Sequence, residues 1–97
     1  MANYALLARL EAKQGKEAAV EAFLKSALPL ALEETFTVSW YALKIGPSTF
    51  GIFDTFNDEQ GRDMHLNGKI AAALMEHAGE LLSQPPVIEK VDILAVK

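Results

Sequence analysis

Asp54 and His65 are the two residues of this chain whose types and spacing could carry acid–base chemistry. The stretch around Asp54 alternates as a strand does, which places the carboxylate on one face with Phe50, Ile52 and Phe56. His65 follows eleven residues later, where the spacing has become helical. If that helix packs back on the strand, acid and imidazole share an apolar pocket, and an imidazole is suited to proton transfer near neutral pH.

Both residues also have a purely structural interpretation. An unpaired carboxylate is costly to bury, so Asp54 is expected either to gain hydrogen bonds or to take up a proton. Structural ion pairs perturb carboxylates as strongly as catalytic ones do. A single histidine on a helix is often a packing residue held by a hydrogen bond. A catalytic and a structural interpretation of the pair therefore both stay open at this point.

The polar stretch that precedes His65 predicts a helix start. Asn57 can cap a helix, and Gln60, three residues later, can complete a capping box. We expect this helix to begin near Asp58 and to be interrupted at Asn67–Gly68, where a polar residue and a glycine break the apolar spacing.

The rest of the chain supplies three further strands and another helix. Alternating residues predict the strands over Tyr4–Glu11, Phe36–Ile45 and Val87–Val96. The helix begins at Lys16, and Pro29 is expected to kink its last turn, since proline removes a backbone hydrogen bond. The apolar residues that recur along this helix predict its buried stripe: Val20, Phe23, Leu24, Ala27, Leu28, Ala31 and Leu32.

The order of these elements is β-α-β-β-α-β, which is the order of the ferredoxin-like α+β fold. We expect one domain over residues 1–97, with a four-stranded antiparallel sheet and two helices on one of its faces. The other face still carries large apolar groups, and such a face is rarely left open to water. A homodimer formed through the sheet face is therefore expected, and a monomer with an open sheet is the alternative.

Composition argues against several classes of function. The net charge is −4 and no basic cluster is present, so no nucleic-acid partner is expected. No apolar run approaches the roughly 20 residues of a membrane span, and the N-terminus lacks the pattern of a signal peptide. The absence of cysteine fits a reducing cytoplasm, where we expect the protein to be. The two histidines form no metal-ligand motif, so we expect neither a metal site nor a cofactor.

Four short segments carry a resemblance to a known family. They are Gly15–Glu17 at the start of the first helix, Trp40–Leu43, Phe50–Phe56 and Asp58–Leu66. In these segments and in the order of its elements the chain resembles the antibiotic-biosynthesis monooxygenases. These are small dimeric α+β-barrel proteins that include quinol monooxygenases.

Several residues depart from the pattern of that family. Asp54 stands where the family usually has Glu, Phe56 where many members have Trp, and Met64 where Ala is usual before the histidine. Haem-degrading relatives need an Asn on the first strand, and its expected pocket face has none. Haem degradation is therefore not expected.

The resemblance implies cofactor-independent oxidation of a phenolic or quinol-type aromatic substrate by dioxygen in an apolar pocket. The alternative is a non-catalytic dimeric module of the same fold that binds a small apolar ligand, since a fold alone does not fix a function. We favour the enzyme, a monooxygenase and thus an oxidoreductase. Trp40 and Tyr41 must face opposite sides of the sheet, and the sequence does not say which faces the pocket. The catalytic residues would be His65 and Asp54, and the substrate-binding residues Phe56, Tyr41, Trp40 and Met64.

Overall fold

The computed structural model describes residues 2–97, which form four strands and four helices. The strands are β1 (Tyr4–Glu11), β2 (Ser39–Lys44), β3 (Thr49–Phe56) and β4 (Val87–Asp92). The helices are α1 (Glu17–Ser26), α2 (Leu28–Glu33), α3 (Glu59–Leu66) and α4 (Lys69–Leu81). The sheet is antiparallel with the order β2-β3-β1-β4. The predicted ferredoxin-like α+β fold is confirmed, with each predicted helix divided into two.

The core lies between the sheet and the helices. In the β1–β3 register Leu6 is opposite Asp54 and Leu10 is opposite Phe50, so alternate residues of both strands face the helices. Trp40 on β2 packs against the main core and also against a small cluster between helices formed by Ala27, Ala31 and Ile70. The main core consists of Ala8, Leu10, Ala12, Val20, Leu24, Phe50, Ile52, Leu74 and Leu82.

The first predicted helix ends earlier than expected and is followed directly by a second short helix. The chain breaks at Ala27, and Pro29 lies in the first turn of α2, where its missing N–H costs nothing. Ala27 and Ala31 continue the buried face of α1, but Leu28 and Leu32, one position further on, lie outside it, so the prediction that they are buried was wrong. They are 46% and 77% exposed, respectively.

The helix cap before His65 also differs from the prediction. Asp58, not Asn57, is the N-cap of α3, and its Oδ1 accepts a hydrogen bond of 2.7 Å from the Gly61 N–H. Gly61 then occupies the third position of the helix, so Gln60 cannot form the predicted capping box. The break at Asn67–Gly68 is where it was predicted, because α3 ends at Leu66 and α4 begins at Lys69.

The second strand begins three residues later than predicted. Residues 34–37 form a turn in which the Thr37 N–H donates to the Glu34 carbonyl oxygen over 3.3 Å, so Phe36 is not part of β2. This turn orients the Glu34 side chain toward the layer of helices.

The last strand ends at Asp92 and not at the predicted Val96. Its neighbour β1 begins at Tyr4, which pairs with Asp92, and only the Ile93 N–H reaches back to the Asn3 carbonyl oxygen over 2.8 Å. Among the described residues, the chain after Ile93 therefore has no strand beside it.

The sheet face turned away from the helices is largely apolar, as the sequence predicted. Leu7, Tyr41, Leu43, Phe53 and Val91 point to this side by the strand registers. A cavity of about 520 Å³ lies there. None of the four helices found in residues 2–97 has the length and apolar character needed to cross a membrane.

Candidate active site

Asp54 and His65 meet beneath the helices. The Asp58 cap turns the chain directly after β3, and the His65 ring comes to lie 5.4 Å from the Phe56 ring, centroid to centroid. His65 Nε2 is 2.8 Å from Asp54 Oδ2, and the two side chains are 7% and 1% exposed, respectively. The contact is a close ion pair and not a well-aligned hydrogen bond, since both Asp54 oxygens lack a partner with hydrogen-bond geometry.

The other ring nitrogen contacts a second carboxylate, that of Glu34, which was not among the residues predicted for the site. His65 Nδ1 is 2.7 Å from Glu34 Oε1, and the Glu34 side chain is 9% exposed. The Thr37 hydroxyl donates to the same oxygen over 2.7 Å. No local pattern in the sequence connects Glu34 to a residue 31 positions later.

These two carboxylates determine the protonation of the ring. Burial alone acts to lower the pKa of His65, because it disfavours the charged form. The close contact with Asp54 and its negative charge, followed by the hydrogen bond and the charge of Glu34, outweigh burial, so the pKa of His65 is raised above its usual 6.5. A protonated ring donates from both nitrogens and has no lone pair left to accept a proton. The two carboxylates therefore favour the protonated, two-donor form of the His65 ring.

Asp54 Oδ1 is the second acceptor of this carboxylate, beside the Oδ2 that lies against His65 Nε2. It is buried and lacks a hydrogen-bond partner among residues 2–97. A buried polar atom without a partner costs about 1–3 kcal/mol, which makes it a feature that calls for an explanation. Trp40 Nε1 is also buried without a partner, on the residue directly opposite Asp54 in the β2–β3 register.

A small cavity lies next to Asp54 and His65. Its volume is about 30 Å³. That is enough for one water or one diatomic molecule, whereas a cavity that holds benzene measures roughly 150 Å³. An aromatic ring therefore does not fit while the helices are in this arrangement. Apart from the pair itself the lining is entirely aliphatic: Leu6, Ala8, Ile52, Leu66, Ile70, Ala71, Leu74 and Ile88.

The four predicted substrate-binding residues fall into two groups. Phe56 is fully buried beside the His65 ring, and Trp40 faces the helices opposite Asp54, although neither lines the small cavity. Tyr41 lies on the open face of the sheet, with its ring stacked 6.5 Å from Phe53. Met64 is half-exposed on α3 and is also outside the cavity lining. The structure thus brings Phe56 and Trp40 to the Asp54–His65 pair and leaves Tyr41 and Met64 apart from it.

The site does not have the arrangement of a metal centre. Within residues 2–97, no three histidine, cysteine, aspartate or glutamate side chains converge in a way that could hold a metal ion. Glu34 and Asp54 contact opposite nitrogens of one ring, so their oxygens do not point at a common centre.

Solved structures of known proteins include similar chains. The chain is similar to NE2512, a protein of unknown function from Nitrosomonas europaea, with 64% identity and a TM-score of 0.97, over 100% of this chain and 94% of that one. It also resembles a candidate antibiotic biosynthesis monooxygenase from Nitrosomonas europaea, with 12% identity, a TM-score of 0.83 and coverage of 95% and 99%. A structure described as an antibiotic biosynthesis monooxygenase matches with 13% identity, a TM-score of 0.80 and coverage of 95% and 99%.

At 12% and 13% identity, these last two matches show a shared fold. No protein-family model matches the sequence, and no curated protein matches it either.

Proposed function

The chain belongs to the same family as the Nitrosomonas europaea protein NE2512, and we propose that it is a cofactor-independent monooxygenase that oxidises a phenolic or quinol-type aromatic substrate with dioxygen. The fold shared with antibiotic biosynthesis monooxygenases supports this class of reaction. The observation that carries the proposal is Asp54 Oδ1, a buried acceptor without a hydrogen-bond partner beside a small cavity with an aliphatic lining.

In the proposed reaction Asp54 is the general base. Its Oδ1 accepts the proton of the substrate hydroxyl, while the His65 Nε2–H stays directed at Oδ2. The phenolate formed is electron-rich and reduces dioxygen directly. One oxygen atom joins the ring and the other leaves as water, so that a phenol and O₂ give a quinone and H₂O. The aliphatic lining keeps solvent from the reactive intermediate.

Because the cavity is small, an aromatic substrate can enter only if the cavity opens. Ile70, Ala71 and Leu74 line the cavity from α4, which is separated from α3 by the break at Asn67–Gly68. Displacement of α4 at this break would enlarge the space around Asp54 without moving the sheet. In the proposal the ring enters through this opening, and dioxygen fits beside it.

A non-catalytic binding module is the second candidate. The observation that favours it is the pair of cavity volumes: about 30 Å³ at Asp54, but about 520 Å³ on the open sheet face beside Tyr41 and Phe53. A volume of several hundred Å³ suits a small apolar ligand. In that case the buried His65 and its two carboxylates would only hold the helices on the sheet.

Both candidates include a homodimer formed through the sheet face. Tyr41, Ile45 and Val87 are each about half exposed, and Leu94 and Val96 of the chain end are more exposed still. Apolar surface of this extent is typical of an interface. Packing of two sheets face to face would bury the Tyr41–Phe53 stack.

Oxygen uptake distinguishes the two candidates. Purified protein is incubated with a panel of hydroquinones and naphthols while oxygen consumption and quinone absorbance are followed. The monooxygenase proposal expects enzyme-dependent uptake of one O₂ per quinone formed. Saturable binding of the same compounds without oxygen uptake would support the binding module and contradict the enzyme.

A further inference from the structure

We propose that Glu34 is a positioning residue that, together with Asp54, holds His65 in one ring orientation with both nitrogens protonated. The imidazolium then acts as a buried cation that occupies Asp54 Oδ2 and leaves Oδ1 free to accept a proton. The catalytic consequence rests on the proposed function, whereas the charge state of the ring is a property of the folded chain.

The geometry around Glu34 fixes its carboxylate. Oε1 lies 2.7 Å from His65 Nδ1 and accepts from the Thr37 hydroxyl over 2.7 Å. Oε2 lies against Gly68, where an added Cβ would be 3.2 Å from it. The carboxylate is therefore hydrogen-bonded within the turn after α2 and lies close to the α3–α4 junction.

The charged groups in contact with the His65 ring are both negative. Asp54 from β3 and Glu34 from the end of α2 are both in contact with the ring. On α3 itself, Arg62 is directed away, with its Nη1 3.3 Å from the Val91 carbonyl oxygen, and Asp63 is exposed near Lys90. The residues that β1 and α4 place beside the ring at the cavity are uncharged: Leu6, Ala8, Ile70, Ala71 and Leu74.

Two carboxylates against one ring favour the proton on both nitrogens, because each N–H then faces an acceptor that carries negative charge. Without Glu34, the Nδ1–H would lose its acceptor inside the protein, and a neutral ring could accept a hydrogen bond at Nε2 instead. Asp54 Oδ2 would then lose the His65 Nε2–H donor, and the two oxygens of Asp54 would no longer differ in their contacts. The role of Glu34 is therefore exerted through His65 and not through contact with substrate.

The test is an NMR titration of the His65 ring nitrogens in ¹⁵N-labelled protein. The wild type should show the two-donor imidazolium pattern at neutral pH. Glu34→Gln keeps the shape of the side chain but removes its charge, and should lower the titration midpoint by about 1 pH unit or more, which is about a tenfold loss in proton affinity. Glu34→Asp, which keeps the charge, should restore part of that loss.

Glu33→Gln is the matched control, because Glu33 is the adjacent glutamate and is exposed. It should leave the midpoint within a few tenths of a unit of the wild type. An unchanged midpoint in Glu34→Gln would overturn the proposal. If Glu34→Gln does not fold, the titration of the wild type tests the proposal by itself. A wild-type His65 ring with one unprotonated nitrogen at neutral pH would contradict the proposal.

The proposed function and this inference can fail separately. A wild type that consumes no oxygen, but whose His65 midpoint falls in Glu34→Gln, keeps the inference and removes the function. An active Glu34→Gln variant with an unchanged His65 midpoint and an unchanged pH–rate profile would remove the inference and keep the proposed function.

Discussion

Gly68 lies directly against Glu34, at the point where α3 ends and α4 begins. A Cβ atom at position 68 would be 3.2 Å from Glu34 Oε2 and 3.3 Å from the carbonyl oxygens of Met64 and His65. The backbone at Gly68 is extended, with φ −92°, so close approach and not its conformation is what favours glycine here. This glycine lets the two helices close over the buried carboxylate.

Replacement of Gly68 by alanine is expected to destabilise the fold by about 1–3 kcal/mol, the usual range for overpacking. Gly79→Ala is the matched control, because Gly79 lies within α4 and nothing is within 4 Å of its added Cβ. That change should stabilise the fold by about 0.5–1 kcal/mol through better helix propensity. Urea unfolding measures both, and equal effects of the two changes would contradict the packing described here.

The stability of the fold should depend on the protonation of His65. Its pKa is raised in the folded protein, so its contribution is complete below the unfolded value of 6.5 and is lost as pH rises through the folded pKa. The unfolding free energy of the wild type should therefore fall above about pH 6.5. His65→Gln should lack this component, and urea unfolding at a series of pH values tests it. A wild type with the same pH profile as His65→Gln would contradict the charged state of the ring.

Two phenylalanines should differ in their cost of truncation. Phe50 is 1% exposed at the centre of the core, so Phe50→Ala should cost about 3–5 kcal/mol. Phe23 is only partly buried at the rim of the core, with its ring 5.6 Å from that of His77, so Phe23→Ala should cost about half as much. Equal losses in denaturant unfolding would mean that α1 packs differently on the sheet.

Some parts of the site were predictable from the sequence and others were not, for physical reasons. The face of β3 that carries Asp54 follows from strict alternation, and His65 returns to it because only two residues separate the strand from the capped helix. Glu34 was missed because its position depends on the turn over residues 34–37, and its partner is 31 residues away. Contacts of that kind arise from tertiary packing and leave no periodic pattern in the local sequence.

The two errors in the helices arose from local ambiguity. Asn57 and Asp58 are adjacent and both are good caps, so the sequence did not decide between them; the structure uses Asp58. Leu28 and Leu32 each follow a buried alanine, Ala27 and Ala31, and the apolar spacing alone did not show that the alanines and not the leucines face the core.

The proposed homodimer is tested by a charge placed on the open sheet face. Tyr41→Asp removes the ring that stacks on Phe53 and would bury a carboxylate between two sheets. Sedimentation velocity should show the wild type at twice the chain mass and Tyr41→Asp at the chain mass. Met75→Asp is the control, since Met75 is a similarly exposed apolar residue on α4. A wild-type monomer over a wide concentration range would rule out the dimer.

The central claim is that Asp54 is the base, and one substitution tests it most directly. Asp54→Asn keeps the shape of the side chain but removes its ability to accept a full proton. The measurement is enzyme-dependent oxygen uptake with the best hydroquinone substrate of the panel, for the wild type and for Asp54→Asn, on protein shown by circular dichroism to be folded. The proposal predicts a fall in kcat of about 10²–10⁴-fold, the usual effect of losing acid–base catalysis. An Asp54→Asn variant as active as the wild type would contradict it.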